Sequence, residues 1–161
     1  MPPNVEVIAN VDSFRFYNVP STVLYMHFAY ADTNVVPDTG ELQTAACFLN
    51  DLRAAGKTVF IRCRLGLNRS ALLTGLVLMD EGYRVKDAIA LMRHLRSPHV
   101  LENETFERYL LAEDEKRRTR EAAGLHDSAG EHAQERTSTQ VRDCRHHDCR
   151  ARSPGRNHRG P

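Results

Sequence analysis

Apolar residues recur along this chain with two different periods, and the recurrence stops after Glu115. Val5 to Val11 (VEVIANV) and Thr22 to Tyr30 (TVLYMHFAY) are rich in β-branched and aromatic residues and are bordered by Asn, Asp, Pro and Ser, which predicts strands. From Thr39 to Ala55 the period lengthens. Leu42, Ala45, Ala46, Leu49 and Leu52 fall three and four residues apart, with Gly56 placed as a C-cap, so this stretch predicts an amphipathic helix. Lys57 to Arg62 (KTVFIR) is the short apolar run expected of a buried parallel strand, and it leads directly into CRLGLNRS and the helical stretch SALLTGLVLMDEG. Two further helices are predicted, Val85 to Leu95 and Glu104 to about Lys116, interrupted by Ser97-Pro98. Strands alternating with helices in this way predict an α/β sheet with its active groups at the carboxyl ends of the strands.

A chain of 161 residues that is 41% hydrophobic can bury one ordinary core, and its length favours a single domain. The net charge of +1 conceals two unlike parts. Residues 1–115 hold 11 Lys+Arg against 15 Asp+Glu, a balance of −4, whereas 116–161 hold 11 against 6, a balance of +5. The second part is polar, with scattered Gly, Pro and Ser, and cannot bury enough apolar surface to offset its ordering entropy. It reads as a basic, mostly disordered tail. No apolar run approaches the roughly 18 residues of a membrane span, and MPPNVEVIANVD lacks the basic start and apolar stretch of a signal peptide. The expectation is a soluble cytoplasmic protein, whose cysteines (Cys47, Cys63, Cys144, Cys149) stay as thiols rather than form a disulfide framework. Cys47, on the apolar face of the first helix, reads as core.

Candidate chemistry concentrates between Arg62 and the following helix. Cys63 sits at the carboxyl end of the buried strand, and Arg64, Leu65, Gly66, Leu67 and Asn68 separate it from Arg69 and Ser70, which open the helix. A loop so placed turns successive backbone N–H groups inward around a tetrahedral phosphate, and the helix N-terminus adds positive potential. Gly66 supplies the freedom for a close turn. Arg69 presents two parallel donors to phosphate oxygens, which a lysine does less well. The same field favours Cys63 as the thiolate that attacks phosphorus.

At these residues the chain resembles the cysteine-dependent protein phosphatases, specifically the small dual-specificity type, whose signature of Cys, five residues, Arg and then Ser or Thr is matched by Cys63, Gly66, Arg69 and Ser70. GYRVKDAIALMRHLRSP and NETFERYL resemble the closing helices of that family, so the likeness runs from about Val5 to Leu111. It implies a protein tyrosine phosphatase-like three-layer α/β fold, with a four- or five-stranded, mainly parallel central sheet flanked by helices. It implies a catalytic domain over residues 1–115, a phosphorylated protein as substrate, and neither cofactor nor metal. By the family's mechanism Cys63 forms a phosphocysteine, Arg69 binds the phosphoryl group, Asp32 in YADTN protonates the leaving oxygen, and Ser70 assists the departing thiolate. Asp38 in VVPDTG competes for the acid role but also reads as a helix N-cap, and Asp32 also reads as a turn residue. Asp32 is favoured because it follows the strand directly.

Two departures stand out. Arg62 replaces the His that usually precedes the nucleophile, and only four residues precede Val5, so the sheet is expected to lack an edge strand or to start abruptly. Arg62 motivates an alternative, a catalytically weak phosphate-binding pseudophosphatase. Asn68-Arg69 motivates another, since RNA 5′-triphosphatases tend to carry Asn before the Arg, and the basic tail offers nucleic acid a non-specific phosphate-binding surface. Those enzymes generally do without an acid, which weighs against the reading. Arg64 is the one basic residue between Cys63 and Arg69, so the loop lacks the multiple cations of an inositol-lipid phosphatase. In the tail, CRHHDC places Cys144, His146, His147 and Cys149 close together, but no second shell orients them around a zinc ion. The oligomeric state is open.

Overall fold

The computed structural model describes residues 4–15 and 18–124. Strands β1 (Val7–Asn10), β2 (Leu24–His27) and β3 (Val59–Arg62) form one sheet in the order β2-β1-β3. Both pairings are parallel, and their register sets Asn10 level with His27 on one side and Arg62 on the other. The three carboxyl ends therefore finish together. Val11-Asp12, Phe28 to Tyr30 and Cys63 all leave the sheet on one side, where parallel α/β sheets carry their ligands. Every residue of β1 is buried. Alternate side chains of a strand face opposite ways, so both faces of the sheet are covered at its centre. Val7 and Ala9 belong to the principal core, and Ile8 is buried on the other face.

Four helices accompany the sheet: α1 (Thr39–Ala54), α2 (Arg69–Asp80), α3 (Val85–Leu95) and α4 (Glu104–Ala122). Helix α2 is apolar on nearly every side, with Ala71, Leu72, Leu73, Leu76, Val77 and Met79 buried, and it packs against α1, α3, α4 and β3. The helix that opens at Arg69 is thus the centre of the core, and its first turn cannot shift without disturbing that packing. Helix α1 buries Leu42, Ala45, Ala46 and Leu49 as their spacing predicts, with Leu52 against the core margin. Asp38 caps it, accepting from the Glu41 N–H at 2.9 Å, and Gly56 ends it at φ +81°.

Several expectations change. The sheet has three strands among the described residues, not four or five, with β1 at its centre. Cys47 is half-buried and outside the core, because the buried face of α1 runs through Ala46 and Leu49 on either side of it. Helix α4 continues past Lys116 to Ala122, so the division at residue 115 falls inside a helix. Its last turns are held by charge instead of apolar packing: Lys116 pairs with Glu113, Arg118 with Glu115, and Arg117 with Asp80 at the end of α2. Such pairs are individually weak, typically below about 1 kcal/mol, but apolar periodicity cannot reveal them. Residues from 125 on, including the CRHHDC cluster, lie outside the described residues. Among the described residues no helix is long and apolar enough to cross a membrane.

Phe106 joins α4 to the sheet. Its side chain is fully buried and meets Tyr30 edge to face, with ring centroids 6.2 Å apart. Phe106→Ala is predicted to cost about 3–5 kcal/mol in a urea titration, through lost burial and the cavity left behind. A cost below about 1 kcal/mol would show that α4 contributes little to the core.

Candidate active site

Cys63 follows directly on β3, and its side chain is almost wholly enclosed. Its Sγ accepts from the Gly66 backbone N–H at 3.2 Å and lies 3.3 Å from the Ser70 Oγ. Burial raises the thiol pKa. The hydrogen bonds from the Ser70 side chain and backbone, the Gly66 N–H and the charge of Arg69 together outweigh it, so the thiol ionises below its ordinary range. Two sequence candidates, Gly66 and Ser70, therefore meet the Cys63 sulfur itself. Gly66 adopts φ +73°, a conformation that side chains disfavour, and a Cβ there would come within 3.1 Å of the Arg96 guanidinium.

The rest of the loop is held from outside. The Tyr30 hydroxyl donates to the Arg69 carbonyl at 2.5 Å, the Leu101 N–H to the Leu67 carbonyl at 2.9 Å, and the Asn103 N–H to the Asn68 Oδ1 at 3.1 Å. Arg62, directly before Cys63, donates to the Cys63 carbonyl at 3.0 Å and to the Asn10 Oδ1 at 3.2 Å. It orders the first peptide of the loop by contacts a neutral imidazole would make differently. Arg64 and Leu65 are exposed at the mouth, and Leu67 packs against the core.

Asp32 is exposed on the loop after β2. Its Oδ2 accepts from the Asn68 side-chain amide at 3.1 Å, and its Oδ1 from that of Asn103 at 2.8 Å. Asn68 thus ties the proposed acid to the rim of the Cys63 loop, whereas Asp38 is engaged as the α1 cap. Asn103 also caps α4, accepting from the Thr105 and Phe106 N–H groups. The sequence reading overlooked it. An Asn ahead of an acidic, apolar stretch signals a cap, but nothing in the sequence relates it to an aspartate 71 residues earlier.

Asp12 and Arg96 were also overlooked. Asp12, 3% exposed, lies with its Oδ1 3.1 Å from the Arg69 Nη1 and its Oδ2 3.6 Å from the Arg62 Nη2. Burial alone would raise its pKa. The charge and hydrogen bond of Arg69 and the N–H groups of Ser13 and Phe14 reverse this and hold the carboxyl below its usual range. Arg96, at the end of α3, supplies beside Gly66 the second cation that the loop's own residues lack. The site therefore gathers an acidified thiol, a hydroxyl and an N–H on its sulfur, a guanidinium, and a carboxylate at its rim. That set can bind a tetrahedral oxyanion and transfer it to sulfur.

Comparison with known proteins agrees. No curated protein sequence matches the chain. Among solved structures, human DUSP28 superposes with a TM-score of 0.66 at 19% identity, covering 73% of this chain and 82% of that one. Tk-PTP in its active form gives 0.59 at 22% identity, covering 71% of this chain and 80% of that one. The OH1 tyrosine phosphatase of Orf virus gives 0.56 at 20%, covering 68% and 69%. At these identities the likeness establishes the fold. The family model for the dual specificity phosphatase catalytic domain matches residues 3–116, the span that contains every strand among the described residues and the whole Cys63 loop, and the chain accordingly belongs to that family.

Proposed function

We propose that the chain hydrolyses phosphomonoesters of tyrosine, or of serine and threonine, in proteins through a phosphocysteine intermediate. The observation that carries this reading is the convergence on one sulfur of the Gly66 N–H and the Ser70 hydroxyl, with Asp32 tied to the same loop through Asn68. In the first step the Cys63 thiolate attacks phosphorus while the P–O bond to the substrate breaks, and the leaving oxygen takes its proton from the Asp32 carboxyl. Arg69 and the loop N–H groups bear the charge on the phosphoryl oxygens. In the second, Asp32 accepts a proton from water, which attacks the phosphocysteine. Inorganic phosphate leaves and the thiolate returns, stabilised by Ser70 and Gly66. No metal or cofactor enters either step.

Asn68 had suggested an RNA 5′-triphosphatase. Its amide donates to Asp32 and its carbonyl oxygen accepts from Asn103, an arrangement that supports a loop built to present an acid. Arg62 had suggested a weak, phosphate-binding relative. Its bonds to Asn10 and to the Cys63 carbonyl support an ordered loop and hence turnover. The deciding experiment measures phosphate release from tyrosine- and serine/threonine-phosphorylated peptides and from 5′-triphosphorylated RNA. Release from peptides, lost in Cys63→Ser, is expected; release from RNA alone would refute the reading.

Asp32→Asn is predicted to damage phosphopeptide hydrolysis far more than hydrolysis of an activated aryl phosphate, whose leaving group needs little protonation, and to flatten the basic limb of the kcat pH profile. Asp38→Asn should do neither and should cost at most about 1 kcal/mol of stability as a lost cap. An exchange of these behaviours would transfer the acid role to Asp38.

Asn103→Ser keeps a cap acceptor without adding a charge beside Asp32 but loses the amide donor to Asp32. It should lower phosphopeptide kcat and largely spare stability, whereas Asn103→Ala should do both kinds of harm, with about 1 kcal/mol lost on melting. Equal kcat in wild type and Asn103→Ser would separate Asn103 from the acid.

The rate of Cys63 alkylation by iodoacetamide should inflect below the pH of about 8.5 at which a free thiol ionises, because the folded site favours the thiolate. Ser70→Ala removes one stabilising hydrogen bond and should move the inflection upward. An unmoved inflection would mean that Ser70 does not support the thiolate.

A further inference from the structure

Asp12 has no step in the mechanism above, yet it is a buried carboxylate set between two guanidinium groups, and its backbone is fixed on both sides. Its N–H donates to the Asn10 Oδ1 at 3.2 Å. Its carbonyl is 2.7 Å from the His27 Nε2, which is the donor there because the His27 Nδ1 accepts from the Arg15 Nε at 3.1 Å. Asn10 itself is fully buried and anchored by bonds from its amide to the Phe14 carbonyl and the Tyr25 hydroxyl. A carboxylate held this firmly is suited to orient something else.

What it touches is the phosphate clamp. A guanidinium that binds phosphate in bidentate fashion uses two neighbouring N–H groups, and the edge formed by Nε and Nη2 is one such pair. Asp12 takes Nη1, at 3.1 Å. The Arg69 Nε is buried and has no hydrogen-bond partner. A buried donor without a partner is costly, and it is satisfied when an oxyanion occupies the site. The carboxylate therefore engages the part of the guanidinium that leaves the Nε edge free. Arg62 lies within 3.6 Å of the other carboxylate oxygen and offsets the charge that Asp12 brings into the interior.

We propose that Asp12 is a positioning residue for the phosphate clamp: by holding the Nη1 of Arg69 it aims the Nε edge at the substrate phosphoryl group, with Arg62 as its counter-charge. The inference rests on Arg69 binding phosphate, as in the reading above, but it does not require turnover. Arg62 and Asp12 then act together, and the replacement of the usual His by Arg62 is matched by an acid on the neighbouring strand end.

Protection of Cys63 against iodoacetamide by inorganic phosphate, followed by peptide mass analysis, reads binding at the loop without relying on catalysis. Asp12→Ala is expected to raise the half-protecting phosphate concentration by about tenfold or more through loss of orientation. Removing a negative charge beside an anion site would by itself lower that concentration, so the direction separates positioning from simple electrostatics. Asp12→Asn, which keeps the shape and an acceptor for Nη1, should lie between wild type and Asp12→Ala, and it serves as the folded control if the alanine variant is unstable. Because Asp12 acts through Arg69, adding Asp12→Ala to Arg69→Lys should raise the concentration little further. The proposal is overturned if phosphate protects both Asp12 variants as well as or better than wild type, if the two substitutions act additively, or if phosphate does not protect the wild-type thiol. Asp12-dependent protection in a protein that hydrolyses no phosphoester would uphold Asp12 and refute the phosphatase reading instead.

Discussion

The stretch from Cys63 to Asn68 must converge on one sulfur while having no regular structure of its own, and that constraint organises the molecule around it. A helix or strand holds its shape through internal hydrogen bonds, but this loop takes its shape from neighbours. Tyr30 from the end of β2 bonds to the Arg69 carbonyl, Leu101 from the segment after α3 to the Leu67 carbonyl, and Asn103 at the head of α4 to Asn68. Arg62 ties down the first peptide from the end of β3. Each prop belongs to a different element, so the packing of α2 against α1, α3, α4 and the sheet is also what keeps the loop closed.

Charge in the site is balanced at short range. Cys63 gains stability as a thiolate from dipoles and from Arg69, and it is enclosed enough that burial alone would have kept it neutral. The two guanidinium groups of Arg62 and Arg69 share one buried carboxylate, Asp12. The formal charges of Arg62, Arg69 and Asp12 sum to +1, and an ionised Cys63 brings that sum to zero. Arg64 and Arg96 are exposed at the mouth of the loop, outside this buried cluster. Asp32 stands apart from this cluster, on the exposed rim, where two amide side chains hold it and water can reach it.

Helix α4 shows how two kinds of force share one element. Its first half is fastened by Phe106 and Leu110, both fully buried, with Leu110 lying so close to Gly75 of α2 that a Cβ there would meet it at 2.6 Å. Its second half, where mean hydropathy falls, is fastened by ion pairs to α2 and between its own turns. The helix therefore outlasts the apolar pattern from which it was anticipated. The Asn103 cap ties its beginning to Asp32, a contact that the rest of the helix does not share.

The sequence by itself determined the local matters: the two periodicities that place strands and helices, the turn at Gly66, the cap at Asp38, and the spacing that sets Cys63, Arg69 and Ser70 on one strand-loop-helix unit. These follow from interactions between residues a few positions apart, which a linear reading can see. Only the tertiary structure decided that the sheet has three strands with β1 in the middle, that Cys47 falls off the buried face, that Asn103 reaches Asp32, and that Asp12 lies between Arg62 and Arg69. Each of those depends on parts of the chain brought together by the sheet register and by the packing of α2. An aspartate after a strand or an asparagine before a helix looks alike in any sequence, because its partner's direction is set by backbone geometry tens of residues away.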